Sequence, residues 1–350
     1  MTMYDWMHIF LVGGLLDNEL GQCMYALRQA CAPTTYAILG DFVNRFRWPG
    51  NQAPAKKLFD ADAIKKHEKS RTFTCTASEL LSLVPVLAYY FVAVALEQGV
   101  CPAHVRSLIA LLDAVELVAA VRTGVVSPDQ LKEVNSRHLE LFKAAYGEDN
   151  VVPKHHFAQH LWRMLQRFGC LLSCFTMERL HKLCTKYAKP RHNTTSYEIG
   201  LIEEITCDRI FDLRNGFLSH GLEEPKVPCG AVLRTLQELY PERSSYEVSR
   251  ILRTPTGRVL INDVVYVRID GALLVAEIFL HFCLDGCSTC SMISVWPPAP
   301  RAAGGSVSGH IARHKMVHNP VVVASSAIEV GLIHARAAGH AIICVPVYYR

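Results

Sequence analysis

The chain has 350 residues, half of them hydrophobic and 19% charged, which allows two or three domains with large cores and excludes wholesale disorder. Its 36 Lys and Arg against 32 Asp and Glu leave a formal charge of +4, too small to call for a nucleic-acid partner unless the charge is clustered. The thirteen cysteines are an odd number, and the start, Met1-Thr-Met-Tyr-Asp5, has no basic segment ahead of an apolar stretch, so free thiols in a reducing compartment are expected and secretion is not.

In chain order, residues 5–32 carry apolar positions at helical spacing and predict a helix ended by Pro33. Residues 60–71 are a charged, solvated stretch. Thr76-Ala-Ser-Glu79 offers the side chains of an N-cap ahead of the apolar run 80–96. That run is 17 residues long and contains Pro85, at the lower edge of what crosses a bilayer. Its neighbour, 105–121, holds Arg106, Asp113 and Glu116; both runs read as buried helices without a membrane role. Ser127-Pro-Asp129 predicts a helix start and Gly147 its end, and the helical pattern resumes over 154–217 with breaks at Gly169 and Pro190.

After about Gly221 the character changes. Pro225, Pro228 and Pro241 mark a linker, and β-branched runs follow, punctuated at Asn262-Asp263, Asp270-Gly271 and Asp285-Gly286. Residues 273–282, 292–296, 321–324 and 341–349 read as strands, and 297–315 as a flexible loop rich in Pro, Gly, Ala and Ser. The expected fold class is α+β: a mainly helical unit over 1–220, a linker with a short helix over 221–249, and a small β-rich, barrel-like domain over 250–350.

Charge is clustered in one place. Between Lys154 and His192 there are eight Lys or Arg and a single acid, Glu178, a local charge of +7. Arg179, Lys182, Lys186, Lys189 and Arg191 are its densest part, with Tyr187 among them, which is the footprint expected of a surface that holds a phosphate backbone. Acids return at Glu198, Glu203, Glu204 and Asp208. His156 and His160, four apart, would share one face of a helix and could supply two of the four ligands of a zinc ion. The pair Cys287 and Cys290 lacks the second pair that a zinc ribbon needs. Glu178 is either a metal-holding carboxylate, if others converge on it, or a helix partner of Lys182.

The runs Pro153-Lys-His-His-Phe-Ala-Gln-His-Leu161, Arg167-Phe-Gly169 and Phe175-Thr-Met-Glu-Arg-Leu-His-Lys182 together resemble the C-terminal region of CACTA-type (En/Spm) DNA transposases. Tyr4-Asp-Trp-Met-His8 resembles that family's D-x-x-H block, and the β-rich end resembles the extension that many such elements carry. The resemblance implies an RNase H-like core in which three carboxylates hold two Mg²⁺ ions. It makes Glu178 the candidate third acid, Asp5 a candidate catalytic ligand, and His8, His156 and His160 candidate metal residues. The strands bearing the first acid fall outside this sequence, and the zinc ligand set is incomplete.

The expectation is therefore a transposon-derived, truncated relative of a DDE transposase. It would be catalytically inactive alone, bind DNA through its basic helix, act in the nucleus, and retain little zinc; away from DNA it would be cytoplasmic. Two alternatives stay open. One is an active Mg²⁺-dependent strand-transferase subunit that needs a separate N-terminal half; as partners, that half and a homo-oligomer both stay open. The other is a non-enzymatic interaction protein that uses its β domain.

Overall fold

The computed structural model describes residues 4–30, 35–49, 55–175, 184–189, 197–214, 219–286, 288–296, 309–312, 320–337 and 340–346. Helices dominate up to residue 214 and strands dominate from residue 221, so the fold is α+β. Local chemistry sets most helix starts. Thr76 caps α5 (Ala77–Tyr90) through a reciprocal box: the Glu79 backbone N–H donates to Thr76 Oγ1 at 3.3 Å, and Thr76 N–H donates to Glu79 Oε2 at 2.8 Å. Ser127 and Gln130 repeat the device for α7 (Pro128–Tyr146), which ends at Gly147 with its positive φ. α6 (Pro102–Ala120) lies between α5 and α7 in sequence and packs against both.

The helix expected over 5–32 is in fact two, α1 (Trp6–Phe10) and α2 (Leu15–Ala30). The break falls at Gly13, whose φ of +51° suits a residue without a side chain. Lys154 closes this turn, its Nζ donating to the Val12 and Gly13 carbonyls at 3.0 and 2.8 Å. α3 (Tyr36–Asn44) and α4 (Ala61–Ser70) follow, the latter capped by Asp60. A single described stretch, Ala77–Ala95, is long and apolar enough to cross a bilayer by length and composition, and half of it is buried within the protein. Leu80, Leu83, Val84, Leu87 and Phe91 there pack into the main core with Leu108, Leu111 and Val115 of α6. Burying each such side chain contributes roughly 1.5–3 kcal/mol.

α8 (Pro153–Ala158), α9 (Leu161–Phe168), α10 (Tyr197–Arg214) and α11 (Gly230–Leu239) complete the described α-helices that have defined bounds. The strands are β1 (Gly221–Glu223), β2 (Tyr246–Ser249), β3 (Ile251–Thr254), β4 (Gly257–Leu260), β5 (Val264–Ile269), β6 (Ala272–Leu284), β7 (Ser288–Trp296), β8 (Gly309–Ala312), β9 (Val321–Ala324), β10 (Ile328–Ala337) and β11 (His340–Cys344). The stretch 221–249 thus supplies two strands besides its short helix.

The barrel expectation is not met. Among the described residues the strands form an open antiparallel sheet in the order β8-β11-β10-β5-β6-β7-β9, with β2 beside the far end of β6, and a small sheet β1-β3-β4. β8 and β9 each have one neighbour, so no pairing closes the ring. Of the loop expected over 297–315, residues 309–312 form β8 and the others lie outside the described residues. Asp270-Gly271 and Asp285-Gly286 turn their hairpins with two consecutive positive φ values, the twist that tight antiparallel connections need.

The sheet and the helices share one interior. Ile333, Ala335 and Cys344 of β10 and β11 are buried in the same cluster as the helical core. Arg47, just after α3, and His334 of β10 exchange backbone hydrogen bonds at 2.7 and 3.1 Å. The Arg47 side chain also reaches Asp263 at 3.8 Å. Inside the helical core lies a polar knot that the sequence does not announce. Glu19 of α2 accepts from Ser107 Oγ of α6 and from His138 Nε2 of α7, both at 2.7 Å, and all three residues are buried.

Candidate metal centre around Asp5

Asp5 stands just before α1 and acts as its N-cap: Met7 N–H donates to Asp5 Oδ1 at 3.1 Å. A five-residue helix needs support, and it comes from far along the chain. Trp6 N–H donates to the Leu172 carbonyl at 3.2 Å, and Asp5 and Leu172 form a parallel bridge. Cys174 N–H donates to the same Asp5 Oδ1 at 3.1 Å, and the Trp6 and Phe175 rings lie 5.6 Å apart. Residues 172–175 are therefore moored on α1.

The second carboxylate oxygen, Oδ2, is hydrogen-bonded by His8 Nδ1 one turn on. The Cys174 thiol hydrogen-bonds the same carboxylate. Burial alone would push the Asp5 carboxyl up, but the hydrogen bonds from His8, the Cys174 backbone and thiol, and Met7 outweigh it and hold it below its ordinary value. One ligand atom each from Asp5, His8 and Cys174 lies within 4.8 Å of the others. His8 is 47% exposed, so the cluster opens to solvent.

His156 and His160 are not on one continuous helix, because α8 ends at Ala158 and His160 is the N-cap of α9. Their Nε2 atoms still meet, at 3.0 Å. Burial and the neighbouring His156 and Arg163 lower the pKa of His160. Tyr4 stacks on Phe157 with ring centroids 4.8 Å apart and lies 6.0 Å from the His160 ring, which sets the α8–α9 turn beside α1. His155, one position earlier, is buried and takes a hydrogen bond from Val152 N–H on Nδ1, so its part is structural.

Of the five basic candidates, Lys186 and Lys189 are described and both are exposed. Lys186 Nζ donates to the Tyr187 hydroxyl at 3.1 Å and sits 4.7 Å from that ring's centroid. Glu178, Arg179, Lys182 and Arg191 lie outside the described residues. The structure brings Asp5 and His8 together and adds Cys174, which sequence reasoning does not reach. The reason is a contact across 169 positions, which no local spacing reports. Asp5 is the single carboxylate among the three clustered donors, beside a nitrogen and a sulfur. A hard cation such as Mg²⁺ prefers oxygen, so these donors do not suit it. No protein-family model, no curated protein and no solved structure matches this chain.

Proposed function

We propose that this is a transposon-derived protein of the CACTA type that holds DNA through its basic 154–192 stretch and does not catalyse strand transfer by itself. In this reading the helical part corresponds to the inserted helices and last catalytic helix of an RNase H-like transposase, and DNA holding implies a nuclear site of action. The supporting observation is the mooring of residues 172–175 on Asp5. The resemblance groups Asp5 with Glu178 as metal-holding acids, and the chain runs from this mooring to Glu178 in three residues. In this reading the chain is inactive alone because two-metal strand transfer needs three converging carboxylates, and the resemblance assigns two here, Asp5 and Glu178.

Exposed Lys186 and Lys189 supply the electrostatic hold. The test is titration of the purified chain with duplex DNA at rising salt. The logarithm of the binding constant should fall linearly with the logarithm of salt concentration, by about 0.9 for each phosphate neutralised. Salt-independent binding, or none, would remove the DNA reading. Mg²⁺-dependent nicking that Asp5→Asn abolishes would instead identify an active strand transferase.

A further inference from the structure

Three donors of different chemistry converge at Asp5. One Asp5 oxygen is fixed by two backbone N–H groups, from Met7 and Cys174. The other is contacted by His8 Nδ1. Helix capping accounts for the first oxygen and leaves the second available for another task. An oxygen, an imidazole nitrogen and a thiol sulfur are a borderline-to-soft set, the kind that takes Zn²⁺ in preference to Mg²⁺ or Ca²⁺. The hydrogen bonds on Oδ1 are of the outer kind that orient a carboxylate whose other oxygen, Oδ2, ligates.

We propose that Asp5, His8 and Cys174 form a three-ligand site for Zn²⁺ or a similar borderline dication, with water in the fourth position. The inference does not depend on the transposase reading. It replaces the incomplete ligand set read from His8, His156 and His160 with one that draws its third member from residue 174. Tetrahedral zinc has bonds of about 2.0–2.3 Å, so its ligand atoms stand roughly 3.3–3.7 Å apart. The donors lie within 4.8 Å of one another, so side-chain rotations of about an ångström bring them to that spacing.

The charges balance. Zn²⁺ enters, the Cys174 thiol loses its proton to solvent, and His8 gives up the Nδ1 proton it donates to Asp5 and carries its proton on Nε2 instead, which frees Nδ1 to bind the metal. With the Asp5 carboxylate and the Cys174 thiolate the site is neutral, and one proton is released per ion bound. Bound metal would tie residues 5–8 to residue 174 and so lock the mooring of 172–175 on α1.

The test uses the full chain stripped with EDTA and dialysed. Elemental analysis after addition of zinc should find one equivalent retained. Unbuffered titration should release protons as zinc binds, because the Cys174 thiol ligates as thiolate, and Cys174→Ser should reduce that release. Co²⁺ in place of zinc should give a thiolate-to-cobalt charge-transfer band in the near ultraviolet. Cys174→Ser should remove that band and weaken zinc by at least about 10- to 100-fold, since even outer-shell losses reach that size. Cys170→Ser, a matched change at an exposed cysteine outside the cluster, should alter neither, and circular dichroism checks that each variant is folded. The proposal is overturned if no stoichiometric zinc is retained, or if Cys174→Ser binds as tightly as the parent. It is also overturned if His156→Ala or His160→Ala empties the site while Cys174→Ser does not.

Discussion

Glu19 and His138, 119 positions apart in sequence, meet at 2.7 Å in the centre of the helical core with 1% and 2% of their surface exposed. The contact ties α2 to α7, and Ser107 brings in α6. Removing one partner of a buried hydrogen-bonded pair leaves the other's polar atom unsatisfied in the interior, which costs about 1–3 kcal/mol. Glu19→Ala and His138→Ala should each lower stability by that amount in urea denaturation. The double variant should lose less than the sum of the two, because each single change already breaks the shared contact. Additive losses would show that the pair is not coupled.

Three buried histidines make the fold sensitive to acid. Burial holds His155, His281 and His334 at a pKa of about 4, below the ordinary 6.5. A depressed histidine is neutral in the folded chain and protonates more readily once unfolded. Its contribution is complete above pH 6.5 and is lost as pH falls towards 4. At pH 5 each should cost about 2 kcal/mol relative to pH 8. His281→Gln, judged by denaturation midpoints at the two pH values, should narrow that gap; an unchanged gap would mean that His281 does not contribute.

Asp17 acts in the opposite direction. Burial pushes its carboxyl up to about 7, against hydrogen bonds from the Gly13 and Gly14 backbone and the charge of Lys154. A raised acid holds its proton more tightly in the folded state, so its contribution is present at low pH and is lost as pH rises from about 4 through 7. Asp17→Asn should remove a loss of a few kcal/mol between pH 5 and pH 8, measured by chemical denaturation. An Asp17→Asn chain whose stability changes between the two values just as the parent's does would contradict this. Together with the histidines, Asp17 sets maximal stability in mildly acidic solution.

The basic face gives a simple expectation. Changing both Lys186 and Lys189 to Gln should weaken duplex DNA uniformly across sequences and make the salt slope shallower by about 2, one unit for each phosphate left without its lysine. An unaltered slope would reduce these lysines to ordinary solvated side chains.

Helix caps offer the cheapest check of the fold. Thr76→Ala and Ser127→Ala each remove a side-chain acceptor from a capping box and should each cost about 1 kcal/mol. Helicity followed through thermal unfolding would record the loss.

Those two caps are legible in the sequence because every participant lies within four residues. The turns at Asp270-Gly271 and Asp285-Gly286 are legible for the same reason. A continuous helix over 5–32 is the wrong expectation because apolar spacing persists through Gly13-Gly14 while the backbone turns there. β10 gives little sign of itself because no turn pair frames it and Gly331 interrupts its apolar run. At the metal centre, Asp5 and His8 show as a one-turn spacing. Cys174 does not, since its place depends on how residues 172–175 return to α1. The Glu19–His138 pair is hidden likewise, as burial of an acid is decided by packing across three helices.

The exchanged backbone bonds of Arg47 and His334, and the burial of β10 and β11 residues among helical side chains, make the strand unit one wall of the helical interior. A fragment beginning near residue 220 would carry a raw oily face where the helices had been, and the helical remainder would carry its mirror. Neither piece would behave as a self-contained module in solution.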